Sequence, residues 1–124
     1  VFELSIKQDI AAAHLLRGYE GKCKNLHGHT WQIEVFVEGE ELDEVGMVLD
    51  FRVMKQRLKA LLETMDHTCL NDMPYFQEVN PTTENLAKYI YERFQEEIHP
   101  WRLTRVKIWE SDITCVTYYE TKTT

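Results

Sequence analysis

The chain is poor in several things, and each shortage excludes a class of protein. No apolar run approaches the roughly 18 residues that a membrane-spanning helix needs. The first ten residues alternate like a strand instead of forming a leader, so no membrane partner and no secretory route are expected. Cysteine is scarce: Cys23, Cys69 and Cys115 are odd in number and widely spaced, which argues against a disulfide scaffold and for a reducing cytoplasm. Basic residues are outnumbered, 14 Lys and Arg against 21 Asp and Glu, and a net charge of −7 argues against a nucleic-acid binder. A small anion is not excluded. Lys22 and Lys24 flank Cys23 and form either a local cationic cluster or a pair of solvated loop lysines. Internal repeats, low-complexity tracts and linkers are also missing. What is there, 44% hydrophobic and 28% charged residues over 124 positions, fits a single soluble domain spanning 1–124.

Hydrophobic periodicity divides the chain into six elements. Residues 2–14 and 27–38 read as strands, separated by a loop holding Gly18, Gly21 and Cys23. Asp50 suits an N-cap, and Phe51, Met54, Leu58, Leu61, Leu62 and Met65 give a helical stripe through residue 65. An irregular connection over 66–80 follows. A second helix opens at Pro81-Thr82-Thr83-Glu84, with Thr82 or Thr83 as cap, and runs along Leu86, Tyr89, Ile90 and Phe94 to Pro100. Residues 102–110 and 113–121 read as a hairpin turning near Ser111-Asp112. The order ββααββ predicts an α+β domain, a four-stranded antiparallel sheet with two helices on one face. Its two open edges permit pairing between subunits.

The chemistry concentrates in Cys23-Lys24-Asn25-Leu26-His27-Gly28-His29. On a strand, His27 and His29 point the same way, about 6.5–7 Å apart along the backbone. One metal ion can hold both, with Zn–N bonds of about 2.0–2.1 Å. Their face continues through Trp31, Ile33, Val35 and Val37 and is therefore a buried one. Catalytic zinc keeps three protein ligands, and His14 is the natural third, sharing parity with Ile6 and Ile10 after Ala11-Ala12-Ala13. His99, beside Pro100 at a helix end, reads as a C-terminal cap. Cys23 sits between two lysines near the metal pair; it is a thiolate base or nucleophile, a fourth ligand, or an inert loop thiol. Cys69 and Cys115 read as small core residues. In an irregular turn, Asp66 can orient the ring of His67 and raise its basicity. Glu110 shares parity with Val106 and Ile108, so it is either a buried carboxylate that needs a partner or a rim residue.

Taken together, Ala12-Ala13-His14, Cys23-x-x-x-His27-Gly28-His29, Gly46-Met47-Val48-Leu49-Asp50-Phe51, Asp66-His67 with Leu70-Asn71, Pro81-Thr82-Thr83-Glu84-Asn85-Leu86 and Trp109-Glu110 resemble a known family. It is the 6-pyruvoyltetrahydropterin synthase / 6-carboxytetrahydropterin synthase family of tunnelling-fold pterin enzymes. The resemblance runs through the whole chain in order. It implies that His14, His27 and His29 bind Zn2+, that Cys23, Asp66 and His67 form the catalytic acid/base group, and that Glu110 grips the pterin ring, with Thr82 and Thr83 lining the same pocket. It further implies sheets joined into a barrel within a homohexamer, a dimer of trimers. The family's usual Phe four residues before the first zinc ligand is Ile10 here, a packing change. The three-residue gap between Cys23 and His27, together with Asn80-Pro81-Thr82, looks like the bacterial 6-carboxytetrahydropterin synthases of the queuosine pathway. The implied reaction takes 7,8-dihydroneopterin triphosphate to 6-carboxy-5,6,7,8-tetrahydropterin, acetaldehyde and triphosphate without a redox cofactor. The alternatives are the pyruvoyl branch of the family and a non-catalytic zinc- or pterin-binding module.

Overall fold

Alternation of small or apolar side chains with polar ones, broken at Gln8 and Phe36, builds a long antiparallel strand pair. The computed structural model describes residues 1–18, 21 and 25–121, so the readings made for Lys22, Cys23 and Lys24 lie outside the described residues. Its elements are β1 (Phe2–His14), β2 (His27–Gly39), α1 (Phe51–Leu62), β3 (Thr68–Cys69), α2 (Tyr75–Glu78), α3 (Thr83–Ile98), β4 (Arg102–Ser111) and β5 (Thr114–Tyr118), with a short 3-10 turn at Leu70–Asp72. β1 and β2 pair antiparallel over their full length, from Phe2 opposite Gly39 to His14 opposite His27. One face of this ladder buries Ile6, Ile10, Ala12 and His14 from β1 and Trp31, Ile33, Val35 and Val37 from β2. β4 joins β2 with a bulge at Phe36/Val37 and adds Leu103, Val106 and Ile108 to the same core.

The helices cover that face because their stripes match it. The Asp50 carboxylate caps α1 by accepting the Arg52 N–H at 2.8 Å, and Met54, Leu58 and Leu62 are fully or almost fully buried. Burial of each such side chain is worth roughly 1.5–3 kcal/mol, more than the few tenths that helix propensity distinguishes at a position. The Thr82 hydroxyl caps α3 by accepting the Asn85 N–H, and Leu86, Ala87, Ile90, Phe94 and Ile98 face the sheet. His99 ends α3 through its backbone N–H on the Gln95 carbonyl. Among the described residues, no helix is long and apolar enough to cross a membrane.

Four expectations need correction. The sheet has five strands in the order β3-β1-β2-β4-β5, and it is mixed, because β3 runs parallel to β1. Two residues, Thr68 and Cys69, are too few to carry a period, so the sequence pattern does not announce them. α1 stops at Leu62 although Met65 is buried; residues 63–66 form tighter turns on the Leu61 and Leu62 carbonyls, after which the His67 N–H bonds the Ala11 carbonyl. The chain has there exchanged helix bonding for sheet bonding. Phe51 heads α1 half exposed, outside the stripe. Finally, Cys69 is only partly buried and Cys115 is exposed, and both are free thiols at the sheet's margins.

Candidate metal centre and its surroundings

Register alone brings three imidazoles together. His14 lies directly opposite His27 at the end of the β1–β2 ladder, and His29 lies two residues further along β2, opposite Ala12. Period-2 alternation puts all three rings on the helix-covered face. Their centroids are 4.6 Å (His14–His27), 4.8 Å (His27–His29) and 5.1 Å (His14–His29) apart. Trp31 forms the floor, packing edge-on to His14 and His29 and donating its indole N–H to the Ala12 carbonyl.

Two backbone carbonyls orient the rings. His14 Nδ1 lies 2.7 Å from the Pro81 oxygen and His27 Nδ1 lies 2.7 Å from the Asn25 oxygen. A carbonyl only accepts, so the proton sits on Nδ1 in each ring and Nε2 carries a free lone pair. This is the arrangement in which an outer partner fixes the tautomer of a metal-binding imidazole. His14 is 2% exposed, and burial pushes its pKa below the ordinary 6.5, with the neighbouring imidazoles adding to the effect. Burial does the same to His29, against the opposing pull of Glu110. Both rings are therefore held neutral, the form that binds metal. His14 Nε2 and His29 Nε2 are buried with no hydrogen-bond partner. Buried nitrogens without a partner cost free energy, and for the His14 Nε2 acceptor the missing partner must be electropositive.

Glu110 completes the group. It leaves the β4 core face one alternation after Ile108, and its Oε1 lies 3.0 Å from His29 Nε2 and 3.7 Å from His14 Nε2. The 3.0 Å contact lacks hydrogen-bond alignment, which is why His29 Nε2 remains without a partner. The other carboxylate oxygen, Oε2, accepts from the buried Thr83 hydroxyl at 3.0 Å. One ligand atom from each of His14, His27, His29 and Glu110 falls within 4.8 Å of the others. Three imidazoles and one carboxylate suit a borderline divalent ion such as Zn2+.

The remaining predicted site residues are placed as follows. Thr82 is spent on capping α3, and Thr83, the next residue, reaches Glu110. Glu110 and Thr83 border a small hollow of about 110 Å³ with Glu84, Thr114, Cys115 and Val116. The Asp66 carboxylate meets His67 Nδ1 at 3.1 Å, and the same oxygen accepts the Ala11 N–H at 2.8 Å. That backbone bond, followed by the His67 ring, holds the Asp66 pKa below the usual carboxylate range. His67 has φ +60°, uncommon for a non-glycine residue, and its side chain is 81% exposed. It lines an open groove of about 540 Å³ with Ala11–Ala13, Gly28, His29, Thr30 and Thr68, so His67 and His29 share a surface.

Sequence reasoning missed two features. Glu110 stands within the donor group, which its parity with Ile108 and the alignment of β4 beside β2 could have signalled. The segment 80–85 is also a continuous positioning element. The Asn80 amide pairs with both the N–H and the carbonyl of Arg17, Pro81 orients His14, Thr82 caps α3, Thr83 holds Glu110, and Asn85 donates to the Asn80 carbonyl. Asn71 clamps Leu15 with the same two-way amide pairing. The end of β1 is thereby fixed.

Known proteins show the same plan. A family model described as 6-pyruvoyl tetrahydropterin synthase matches residues 3–121. The chain is 40% identical over 99 residues to 6-carboxy-5,6,7,8-tetrahydropterin synthase of Bacillus subtilis, covering 76% of this chain and 66% of that protein. It is 38% identical over 102 residues to human 6-pyruvoyl tetrahydrobiopterin synthase, covering 79% and 70%. The structure of Caenorhabditis elegans 6-pyruvoyl tetrahydropterin synthase superposes with a TM-score of 0.86 at 28% identity, covering 97% of this chain and 96% of that one. A match over nearly the whole chain, with an α+β fold to go with it, makes this protein a member of the 6-pyruvoyl tetrahydropterin synthase family.

Proposed function

We propose that this chain is a zinc-dependent carbon–carbon lyase that converts 7,8-dihydroneopterin triphosphate, with uptake of one water, into 6-carboxy-5,6,7,8-tetrahydropterin, acetaldehyde and triphosphate. The observation that carries the reading is the convergence of three imidazoles, two of them oriented by backbone carbonyls and two presenting buried, unpartnered Nε2 atoms. A Zn2+ ion held by His14, His27 and His29 supplies Lewis acidity to the substrate's side-chain hydroxyls.

The protein's own groups then have defined tasks. Glu110 accepts from the adjacent N–H donors of the pterin ring, and Thr83 steadies that carboxylate. Cys23, between Lys22 and Lys24, is the base that takes the C1′ proton. Asp66, kept ionised by the Ala11 N–H, holds His67 through Nδ1 and leaves the exposed Nε2 to carry a second proton. Oxidation of the side chain and reduction of the ring occur within one molecule, so no redox cofactor is needed.

A homohexamer of two trimers with a shared barrel is part of this proposal. In its support, β3 covers β1 only at Ala12 and Ala13, and the sheet does not close on itself among the described residues. The cytoplasmic queuosine pathway is the proposed setting, supported by the short gap between Cys23 and His27. The pyruvoyl reaction is the second reading, favoured by the comparable 38% identity to the human enzyme. A direct test separates catalysis from a non-catalytic binding module. Metal-stripped protein should release no triphosphate from 7,8-dihydroneopterin triphosphate, and added Zn2+ should restore release. Pterin binding without any Zn2+-dependent release would leave the binding module as the correct reading.

A further inference from the structure

We propose that Glu110 is a fourth, exchangeable metal ligand: its Oε1 closes the coordination of the His14–His27–His29 site in the substrate-free protein, and the carboxylate leaves for the pterin ring when substrate arrives. The exchange rests on the pterin reading above; the ligation does not.

His14 Nδ1 donates to the Pro81 carbonyl, so His14 Nε2 is an acceptor, and it faces Glu110 Oε1, another acceptor, at 3.7 Å in a buried setting. His29 Nε2 faces the same oxygen at 3.0 Å without hydrogen-bond alignment. The His14 Nε2 and Glu110 Oε1 acceptors repel one another at this range unless a cation lies between them. Tetrahedral coordination with bonds of about 2.0–2.1 Å places neighbouring ligand atoms about 3.3–3.4 Å apart. The observed 3.0 and 3.7 Å bracket that edge. Thr83 supports the assignment from the other side. By donating to Oε2 at 3.0 Å it directs the remaining oxygen, Oε1, at the imidazoles, as an outer partner orients a ligating carboxylate.

The arrangement gives the site two states. With four protein ligands it has the closed character of a structural zinc site; with Glu110 withdrawn it has the open position of a catalytic one. Glu110 is 31% exposed and borders the hollow beside Thr83 and Cys115, so a ring entering there meets the carboxylate. A group that serves either the metal or the ring makes the two binding events oppose each other, and by linkage the opposition is reciprocal.

The test measures metal affinity by chelator competition with Co2+ and Zn2+, together with the visible spectrum of the Co2+ protein. Glu110→Gln and Glu110→Asp serve as two independent variants, each checked for folding by circular dichroism. Both should still take up one ion at saturation through the three histidines. Glu110→Gln should hold it about tenfold or more weakly, since losing even an outer partner of a metal ligand costs about 10–100-fold in affinity or activity. Adding pterin, the bicyclic ring without a side chain, should change the Co2+ bands and weaken metal binding in the natural protein but not in Glu110→Gln. Equal metal affinity in the natural protein and both variants would overturn the ligation. Pterin binding, seen by fluorescence, that leaves the Co2+ spectrum unchanged would overturn the exchange. If pterin does not bind at all, the pterin reading and the exchange fall together, and the affinity comparison alone decides whether Glu110 is a ligand.

Discussion

Replacing Thr83 with Val tests how the carboxylate is steadied, because the swap keeps the shape and deletes one buried donor. The Thr83 side chain is buried and its hydroxyl donates to Glu110 Oε2 at 3.0 Å. A hydrogen bond to a charged group is worth about 1.5–3 kcal/mol when both partners are dry. Glu110 is 31% exposed, so water can take up part of the lost donation, and about 0.5–1.5 kcal/mol is the better figure for stability. For a chain of this size, that is a fall of a few degrees in Tm, about 2–8 °C. The larger effect should be on pterin affinity, since a carboxylate free to rotate must be ordered again on binding. A loss of about three- to tenfold corresponds to about 0.6–1.4 kcal/mol. Thr83→Ser restores the hydroxyl and should recover most of the affinity, while thermal unfolding still registers the lost methyl. Calorimetric titration with pterin and a melting curve for each variant are sufficient. Unchanged pterin affinity in Thr83→Val, or equal weakening in Thr83→Ser, would refute the steadying role.

Other perturbations give distinct outcomes. His27→Ala and His29→Ala should each lose bound metal, by elemental analysis, after a chelator treatment that leaves the natural protein loaded, because each removes an imidazole from the donor group; retention equal to the natural protein in both would remove the assignment. Cys23→Ala should keep its metal and its circular dichroism spectrum while losing turnover, whereas loss of metal would make Cys23 a ligand instead of the base. Metal-free protein should lose stability as pH falls below 6.5, because burial depresses the pKa values of His14 and His29 and the unfolded chain then binds more protons. His14→Gln should flatten the melting temperature over that window, and an equally steep dependence in the variant would place its origin elsewhere. Asp66→Asn should lower turnover with metal content unchanged, since the amide cannot stabilise a charged His67 ring; undiminished kcat would leave the pair a structural contact.

The sequence made some of this legible because periodicity and capping are local. The parity of His14, Ile10 and Ile6, and of His29, Trp31 and Ile33, predicted one buried face, and the ladder register delivered it. Asp50 and the Thr82-Thr83 pair announced both long helices, since a cap needs only its own side chain and the next turn, and the structure selects Thr82. What stayed hidden was non-local. Nothing in Thr68-Cys69 signals a strand, because the pairing depends on where the turns after α1 return the chain to Ala12 and Ala13. The Pro81 carbonyl that orients His14 is a backbone atom 67 residues away, and no residue type betrays it. Glu110 was legible as a carboxylate in want of a partner, but identifying the partner required the position of β4 across β2. Cys115, with apolar neighbours in sequence, is exposed because β5 is the last strand of the sheet.

Which bond breaks is tested most directly by product analysis. Zn2+-loaded protein incubated with 7,8-dihydroneopterin triphosphate should yield acetaldehyde, captured with a carbonyl trap, and 6-carboxy-5,6,7,8-tetrahydropterin, identified by mass spectrometry. The two should appear in equal amounts, and both in step with triphosphate. Triphosphate release accompanied by 6-pyruvoyltetrahydropterin and no aldehyde would contradict the carbon–carbon lyase assignment.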